Sequence, residues 1–299
     1  MNIKKDRVHP TFTGLGFISA KVIESSLHPS EEGKPLITIQ LRYPRFIHSE
    51  LMTHRVFSRN ASSSRAIPVP RMLQQVREEP AMPIHWGKNQ PGMQAFEELD
   101  PETAESVRAL WIEAAQRAVN VATAMSALGA HKQVVNRILE PFQFISVIVT
   151  ATEWDNFFAL RDHPAAQPEI RELARVMKLA IDGSRPNVLN YGEWHLPYVS
   201  QTERVYYNVD SCLKLSTARC ARVSYLNHDG TEPSPEKDFE LFDRLVGSEP
   251  LHASPIEHQA TPDRFDCPDH PGDWANRQLW GNFKTWVQHR KVYEASLLH

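Results

Sequence analysis

The sequence predicts a mixed α/β fold, because strand-like segments alternate with amphipathic helices along its 299 residues. Residues 35–43 ("PLITIQLRY") alternate apolar and polar side chains, which is typical of a half-buried strand. Residues 142–151 ("FQFISVIVTA") are rich in β-branched and aromatic side chains and indicate a buried strand. Between them, residues 100–129 have the alanine-rich composition of a long helix.

The segments after the first strand predict a short helix and then a loop. Pro44 suits a first helical position, and residues 46–54 have the spacing of one helix face. The serines at 62–64 and the prolines after them predict that regular structure ends there. Residues 80–99 contain proline and glycine and are expected to be irregular.

Helix caps and apolar periodicity predict further helices beside the long one. The long helix takes Asp100 as its N-cap and Pro101 as its first residue. Thr152 and Asp155 resemble a capping box that opens a later helix. The remaining helices are placed at 131–139, 167–182 and 234–246. The connection 183–211 is expected to be irregular and, because of its aromatic content, functional.

The composition indicates a folded cytoplasmic protein and argues against several other classes. Hydrophobic residues make up 41% and the formal net charge is −3, so a large core is available and a general nucleic-acid-binding surface is not expected. No stretch reaches the ~18 uninterrupted apolar residues of a membrane span, and the N-terminal "MNIKKDRVHPTF" lacks the apolar core of a secretory signal. The three cysteines form no Cys-x-x-Cys pair, so we expect reduced thiols and no metal site.

One window of the chain combines many cations with no acid. Residues 51–77 contain no Asp or Glu, but they contain Arg55, Arg59, Arg65, Arg71 and Arg77. Guanidinium groups match phosphate oxygens bidentately, and the serines at 62–64 add hydroxyl groups. The window therefore predicts a phosphate site, although the sequence has neither a Walker loop nor a Gly-x-Gly-x-x-Gly turn. From the residues alone, the sequence indicates a nucleotide- or phosphate-handling enzyme.

The stretch "THRVFSRNASSSRA" resembles the signature of the flavin-dependent thymidylate synthases, in which Arg-His-Arg is followed by Asn and then by Ser-Gly-Arg-Tyr. The residues that match in order and spacing are His54, Arg55, Asn60, Ser63 and Arg65. The chain departs from the signature at several positions. Thr53 replaces the first Arg, Ser64 replaces the Gly, and Glu50 replaces a Gln one turn earlier.

Three further blocks are similar to segments of the same family. "NRILEP" resembles a segment with a nucleotide-binding arginine, here Arg137, and "EWDNFFALRDHPAAQPEIRELA" places Arg161 at a pyrimidine-binding arginine. Residues from about 216 to 262 resemble the opening of the family, with Ser224 and His258 at two of its positions. Because this block comes late instead of first, we expect a single domain over 1–299 that is circularly permuted or rearranged.

The resemblance implies a fold, an assembly and a reaction. It implies a mixed or antiparallel central sheet with long helices, and a homotetramer whose active sites are shared between subunits. It implies bound FAD, reduction by NADPH, and methylene-tetrahydrofolate as the one-carbon donor that converts dUMP to dTMP. The pyrimidine of this family is not activated by a cysteine, and neither a membrane nor a nucleic acid is expected as a partner.

The resemblance also implies a role for each matched residue. Arg161 would contact the base and stabilise negative charge on the uracil carbonyls, which makes carbon 5 nucleophilic. The other substrate-binding residues would be Glu50, Ser62, Ser63, Ser64, Arg65 and Arg137. The cofactor-binding residues would be Thr53, His54, Arg55, Asn60, Ser224 and His258.

Three alternatives stay open at this point. Glu50 near the base could accept a hydrogen bond from an exocyclic amine, which would suit dCMP better than dUMP. The one-carbon product could be a hydroxymethyl group instead of a methyl group. The chain could also be a non-catalytic protein that binds nucleotides or nucleic acid through the basic loop.

Overall fold

The computed structural model describes residues 9–223, 231, 234–267 and 272–298. Its helices are α1 (His48–Met52), α2 (Val69–Glu78), α3 (Pro101–Ala127), α4 (Lys132–Leu139), α5 (Asp155–Arg161), α6 (Pro168–Asp182), α7 (Gln201–Tyr206), α8 (Val209–Arg222), α9 (Pro235–Leu245) and α10 (His289–Ser296). Its strands are β1 (Thr11–Thr13), β2 (Ser19–Leu27), β3 (Leu36–Pro44), β4 (Ser58–Ala61), β5 (Phe144–Ala151), β6 (Asn187–Val188), β7 (Ala260–Pro262) and β8 (Trp286–Gln288). Within these ranges, no helix has both the length and the apolar character to cross a membrane.

A six-stranded sheet lies at the centre of the molecule. Its strand order is β1–β2–β3–β5–β4, and β6 pairs with β2. The pairing is antiparallel along this order, whereas β6 runs parallel to β2. β7 and β8 form a separate antiparallel pair. This mixed, mainly antiparallel sheet with long helices confirms the fold class that the sequence predicted.

One face of the central sheet is apolar and packs against α6. The apolar residues of β3 and β5, among them Ile39 and Val149, are cross-strand partners on this face. They join the buried face of α6, which was predicted from its spacing and includes Ile170, Leu173, Ala174 and Met177. Full burial of one such aliphatic side chain contributes about 1.5–3 kcal/mol, so this layer is the main core.

The other face of the sheet is polar and is also buried. Thr38 on β3 and Thr150 on β5 are cross-strand partners with 0% exposure. The C-terminal third of the chain covers them, and it contributes His195 and His258, which are equally buried. The prediction of a half-buried strand at 35–43 is therefore wrong for its polar face, where the hydroxyls bond to protein groups instead of water.

A buried ion network joins α7, α8 and α9. Nε of Arg219 on α8 donates to Oδ2 of Asp238 on α9 at 2.9 Å, and its Nη2 donates to Oε1 of Glu203 on α7 at 2.6 Å. Arg222 also donates to Asp238. Because Arg219 and Asp238 have at most 1% exposure, each charge depends on its partners for stability.

Four local predictions are corrected by the structure. The end of the 183–211 connection is helical, because Ser200 and Glu203 form a capping box for α7 and α8 follows at once. The stretch 53–66, predicted as a helix end and loop, contains β4, which pairs with β5. The prolines that were predicted to end regular structure instead open α2, which carries Pro70 in its first turn. Thr152 does not cap α5; its hydroxyl accepts a hydrogen bond from a C-terminal backbone N–H.

Candidate functional site

Arg161, in the last turn of α5, is held by the segment around the first signature position. Its Nε donates to Nε2 of His54 at 3.0 Å, and its Nη2 donates to Oγ1 of Thr53 at 3.1 Å. Its Nη1 is 3.8 Å from Oε2 of Glu50. The Thr53 hydroxyl donates in turn to the backbone oxygen of Glu50 at 2.7 Å. Glu50, Thr53, His54 and Arg161 thus form one unit, which we call the Arg161 cluster.

The hydrogen bond from Arg161 determines where His54 carries its proton. Because Nε2 accepts, the neutral ring holds its proton on Nδ1. Burial lowers the pKa of His54, and the cations Arg161 and Arg59 lower it further. Arg59 donates from Nη1 to the backbone oxygen of His54 at 3.0 Å and so fixes the same turn. The neutral ring of His54 therefore orients the guanidinium group of Arg161. The Nδ1–H of His54 has no hydrogen-bond partner among the described residues.

Glu50 is the acidic member of the Arg161 cluster. Burial raises its pKa; Arg161 acts in the opposite direction and Glu169 adds to the rise. Its side chain keeps 31% exposure. The carboxyl group is therefore within reach of a ligand and titrates above its ordinary range.

A second cluster surrounds one carboxylate oxygen of Glu140, which follows α4. Its Oε1 accepts hydrogen bonds from Oγ of Ser64 at 2.9 Å and from Nη1 of Arg137 at 2.9 Å. The same oxygen is 3.0 Å from Nη2 of Arg45. Nδ2 of Asn136 donates to the backbone oxygen of Ser64 at 2.7 Å and fixes the serine loop. We call Arg45, Ser64, Arg137 and Glu140 the Glu140 cluster.

The two clusters lie on neighbouring parts of the molecule at the end of β3. Between them, Oη of Tyr43 is 2.8 Å from Nδ1 of His48. Burial lowers the pKa of His48, and Arg45 from one side and Arg59 from the other lower it further. Arg59 also donates to the backbone oxygen of His54, so a cation that contacts the Arg161 cluster and a cation of the Glu140 cluster both act on Tyr43 and His48.

Four of the five arginines in the acid-free window are exposed, and one of these, Arg77, donates to Oγ1 of Thr123. Within the part of the chain that the structure describes, no hydrogen bond or ion pair is made by the guanidinium groups of Arg55, Arg65 and Arg71. The neighbouring serines are used locally: Oγ of Ser63 accepts from the backbone N–H of Arg65 at 3.3 Å, and Oγ of Ser62 accepts from that of Ser146 at 3.2 Å. The serines therefore shape the loop, and Arg65 keeps its donors for a ligand.

Asn60 and His258 contact each other at the end of a buried hydrogen-bond chain. With neighbouring atoms 2.7–3.1 Å apart, this chain runs through Asn60, His258, Thr150, Thr38, His195 and Ser26. Burial lowers the pKa of His258 to about 3 and also lowers that of His195, well below its ordinary value. His258 has no exposed surface and both its ring nitrogens are occupied, so it positions Asn60 instead of facing a cofactor.

The structure places six of the predicted site residues in two clusters, with Glu50, Thr53, His54 and Arg161 in one and Ser64 and Arg137 in the other. It adds two residues that the sequence reasoning missed. Arg45 and Glu140 had no predicted role, although Glu140 lies three residues after Arg137, a spacing that favours ion pairs on helices. Its contact with Ser64 spans 76 residues and has no local signal. Ser224 lies outside the described residues.

The cysteines take no part in either cluster. All three are free thiols, and Cys212 and Cys220 are buried. Burial raises the pKa of both these thiols. A raised pKa disfavours the thiolate, which is the nucleophilic form, so the chemistry of the clusters is that of guanidinium, imidazole and carboxyl groups.

An apolar cavity of about 310 Å³ lies elsewhere on the surface. It is lined by Leu15, Gly16, Phe17, Pro80, Met82, Pro83, Ile84, Arg108 and Phe144. None of these residues belongs to the Arg161 cluster or the Glu140 cluster. We therefore take the two clusters, with their converging charges, as the candidate site.

Residues 18–186, more than half of the chain, match the family model described as thymidylate synthase complementing protein. The chain belongs to this family. The match contains both clusters, and no curated protein sequence matches the chain.

Among solved structures, the chain resembles two of the UMP/dUMP methylase PolB from Streptomyces cacaoi. The structure bound with 5-Br UMP has a TM-score of 0.45 and 17% identity, over 57% of this chain and 92% of that chain. The structure bound with 5-Br dUMP has a TM-score of 0.44 and 16% identity, over 57% of this chain and 90% of that chain.

Family membership determines the class of activity. The protein is an enzyme, a thymidylate synthase-like methyltransferase, and its family supports nucleotide methylation as the class of reaction. The family is flavin-dependent in general.

Proposed function

We propose that the protein methylates dUMP to dTMP, with bound FAD, with NADPH as reductant and with methylene-tetrahydrofolate as one-carbon donor. The observation that carries this proposal is the fixed guanidinium of Arg161, at the position that the resemblance gives to the pyrimidine-binding arginine. The Glu140 cluster and Arg65 would supply cations for the 5′-phosphate.

Arg161 acts on the base through its charge. The nearest acid to Nη1 is Oε2 of Glu50 at 3.8 Å, beyond hydrogen-bond distance, so the N–H groups of Nη1 remain available as donors. Directed at a uracil carbonyl, they would stabilise the enolate-like negative charge on its oxygen that makes carbon 5 nucleophilic. Because neutral His54 and Thr53 already hold the guanidinium, little reorganisation is needed in the reaction.

The surface of residues 52–56 fits a flavin. Arg55 has a free, exposed guanidinium for the phosphates, and His54 carries an Nδ1–H donor. Met52 and Val56 are exposed apolar side chains beside them and would pack against a ring. When bound, the flavin supplies the hydride chemistry, and the residues of the chain bind and orient it.

The test combines an absorption spectrum with product analysis. Purified protein is expected to show the visible absorbance of flavin. With NADPH, methylene-tetrahydrofolate and dUMP, mass analysis is expected to find dTMP. A hydroxymethyl product would revise the last step, and flavin binding without any conversion would indicate a protein that binds nucleotide but does not catalyse.

Glu50 favours one alternative substrate, dCMP. A carboxylate beside the base-binding arginine accepts a hydrogen bond from an exocyclic amine, which cytosine has and uracil lacks. Turnover of dUMP and dCMP should be compared under identical conditions. A clear preference for dUMP ends the dCMP alternative.

We also propose a homotetramer with shared active sites. The long helix α3 buries few side chains within one subunit and leaves large apolar ones exposed. These include Leu110 at 63%, Ile112 at 47% and Val121 at 50% exposure. An exposed apolar face of this kind favours contact with another chain. Light scattering coupled to size-exclusion chromatography measures the assembly, and a monomer at working concentration would contradict it.

A further inference from the structure

Arg45 is a mostly buried cation whose one anionic partner among the described residues, Glu140, is shared with Arg137. Its side chain has 19% exposure, and its Nη2 is 3.0 Å from Oε1 of Glu140. The same oxygen accepts from Arg137 and Ser64, both at 2.9 Å. Arg45 makes no other side-chain hydrogen bond or ion pair within the described ranges, so most of its five N–H donors stay unused.

The charges around Arg45 do not balance. Two guanidinium groups, of Arg45 and Arg137, share the single carboxylate of Glu140. His48 on the other side contributes no anion, and its lowered pKa keeps it neutral. The loop that carries Ser64 continues into the unpaired Arg65. Because a partly buried cation without its own counter-ion is costly, the cluster has room for an anionic ligand.

We propose that Arg45 binds the 5′-phosphate of the nucleotide substrate and that Glu140 positions Arg45 for this role. The resemblance assigns nothing to Arg45, so it is an additional residue for the phosphate beside Arg65 and Arg137. A guanidinium group presents two parallel N–H groups to two phosphate oxygens, and the shared contact with Glu140 limits its rotation. This inference rests on the proposed function, because it takes the ligand to be a pyrimidine nucleoside monophosphate.

The experiment separates the phosphate from the rest of the nucleotide. The affinities for dUMP, deoxyuridine and FAD are measured by titration calorimetry for the wild type, Arg45→Gln and Arg45→Lys. Loss of one charged phosphate contact should weaken dUMP binding about tenfold or more and leave deoxyuridine and FAD binding unchanged. Arg45→Lys keeps the charge but loses the planar pair of donors, so its affinity for dUMP should lie between those of the wild type and Arg45→Gln. Arg244→Gln, an exposed arginine on α9, is the charge-matched control and should bind all three ligands like the wild type.

Each outcome decides the inference. Equal dUMP affinity in the wild type and Arg45→Gln overturns it, as does an equal loss for dUMP and deoxyuridine, which would indicate a role in the fold. A loss confined to FAD would assign Arg45 to the cofactor and also overturns it. If thermal unfolding shows that Arg45→Gln does not fold, Arg45→Lys gives the same comparison. A wild-type protein that binds no pyrimidine nucleotide overturns the proposed function itself, together with this inference.

Discussion

The burial of neutral His258 makes the free energy of unfolding depend on pH. In the folded protein its pKa is lowered to about 3 by burial, whereas an unfolded chain returns it to about 6.5. Between these values the unfolded state binds a proton that the folded state does not. The stabilisation is therefore complete above about pH 6.5 and is lost progressively as the pH falls toward the folded value.

The size of this effect follows from the two pKa values of His258. At about pH 5, a histidine that is protonated only in the unfolded chain lowers the free energy of unfolding by about 2 kcal/mol. His258→Gln retains an amide that can bond to Asn60 and Thr150, but it does not titrate. We expect the wild type to lose about 2 kcal/mol more than this variant between about pH 7.5 and about pH 5.

Urea unfolding at the two pH values measures this difference directly. Tryptophan fluorescence follows the transition, and linear extrapolation gives the free energy in water. His252→Gln removes an exposed histidine and should follow the pH dependence of the wild type. If His258→Gln and the wild type lose the same free energy on acidification, His258 is not held neutral in the core.

Two further predictions concern Arg161 and the α8–α9 network. His54→Ala removes the acceptor that holds Arg161, so the affinity for dUMP should fall about tenfold. His54→Gln should retain part of the wild-type affinity. Titration calorimetry measures both variants, and an unchanged affinity in His54→Ala would contradict the positioning role of His54. Asp238→Ala leaves the buried cation Arg219 without one of its anions and should lower the free energy of unfolding by about 3–5 kcal/mol. Asp243→Ala, on the exposed face of the same helix, should lower it by about 0.5 kcal/mol. Urea unfolding of both variants measures these losses, and equal losses would show that the network does not stabilise the fold.

Local sequence patterns predicted the elements whose own residues determine them. The helices at 100–129 and 167–182 appeared as α3 and α6, because N-cap residues and apolar periodicity lie within the segments themselves. β4 was missed because its sequence, "SRNA", has no β-branched or aromatic residue, and pairing with β5 imposes its conformation. The capping box of Ser200 and Glu203 was a readable signal for α7 that the aromatic content of the stretch obscured.

The site was predictable only in part, because its partners come from distant segments. The acid-free window predicted a phosphate site from its own residues, but it gave no sign of Glu140, which comes from another element and bonds to Ser64. The alternating polar residues of β3 suggested contact with water, but the folded structure shows that His195 bonds to Thr38 on β3 and that His258 bonds to its cross-strand partner Thr150 on β5. The apolar periodicity of one segment does not indicate which distant residues its polar side chains will contact.

The most direct test of whether Arg161 activates the pyrimidine is the release of the hydrogen on carbon 5 of dUMP. Methylation replaces this hydrogen, so its release reports the reaction at carbon 5. With dUMP tritiated at carbon 5, FAD, NADPH and methylene-tetrahydrofolate, the wild type should release tritium into water, and Arg161→Gln should not. A wild-type protein that binds flavin and dUMP but releases no tritium would contradict this role.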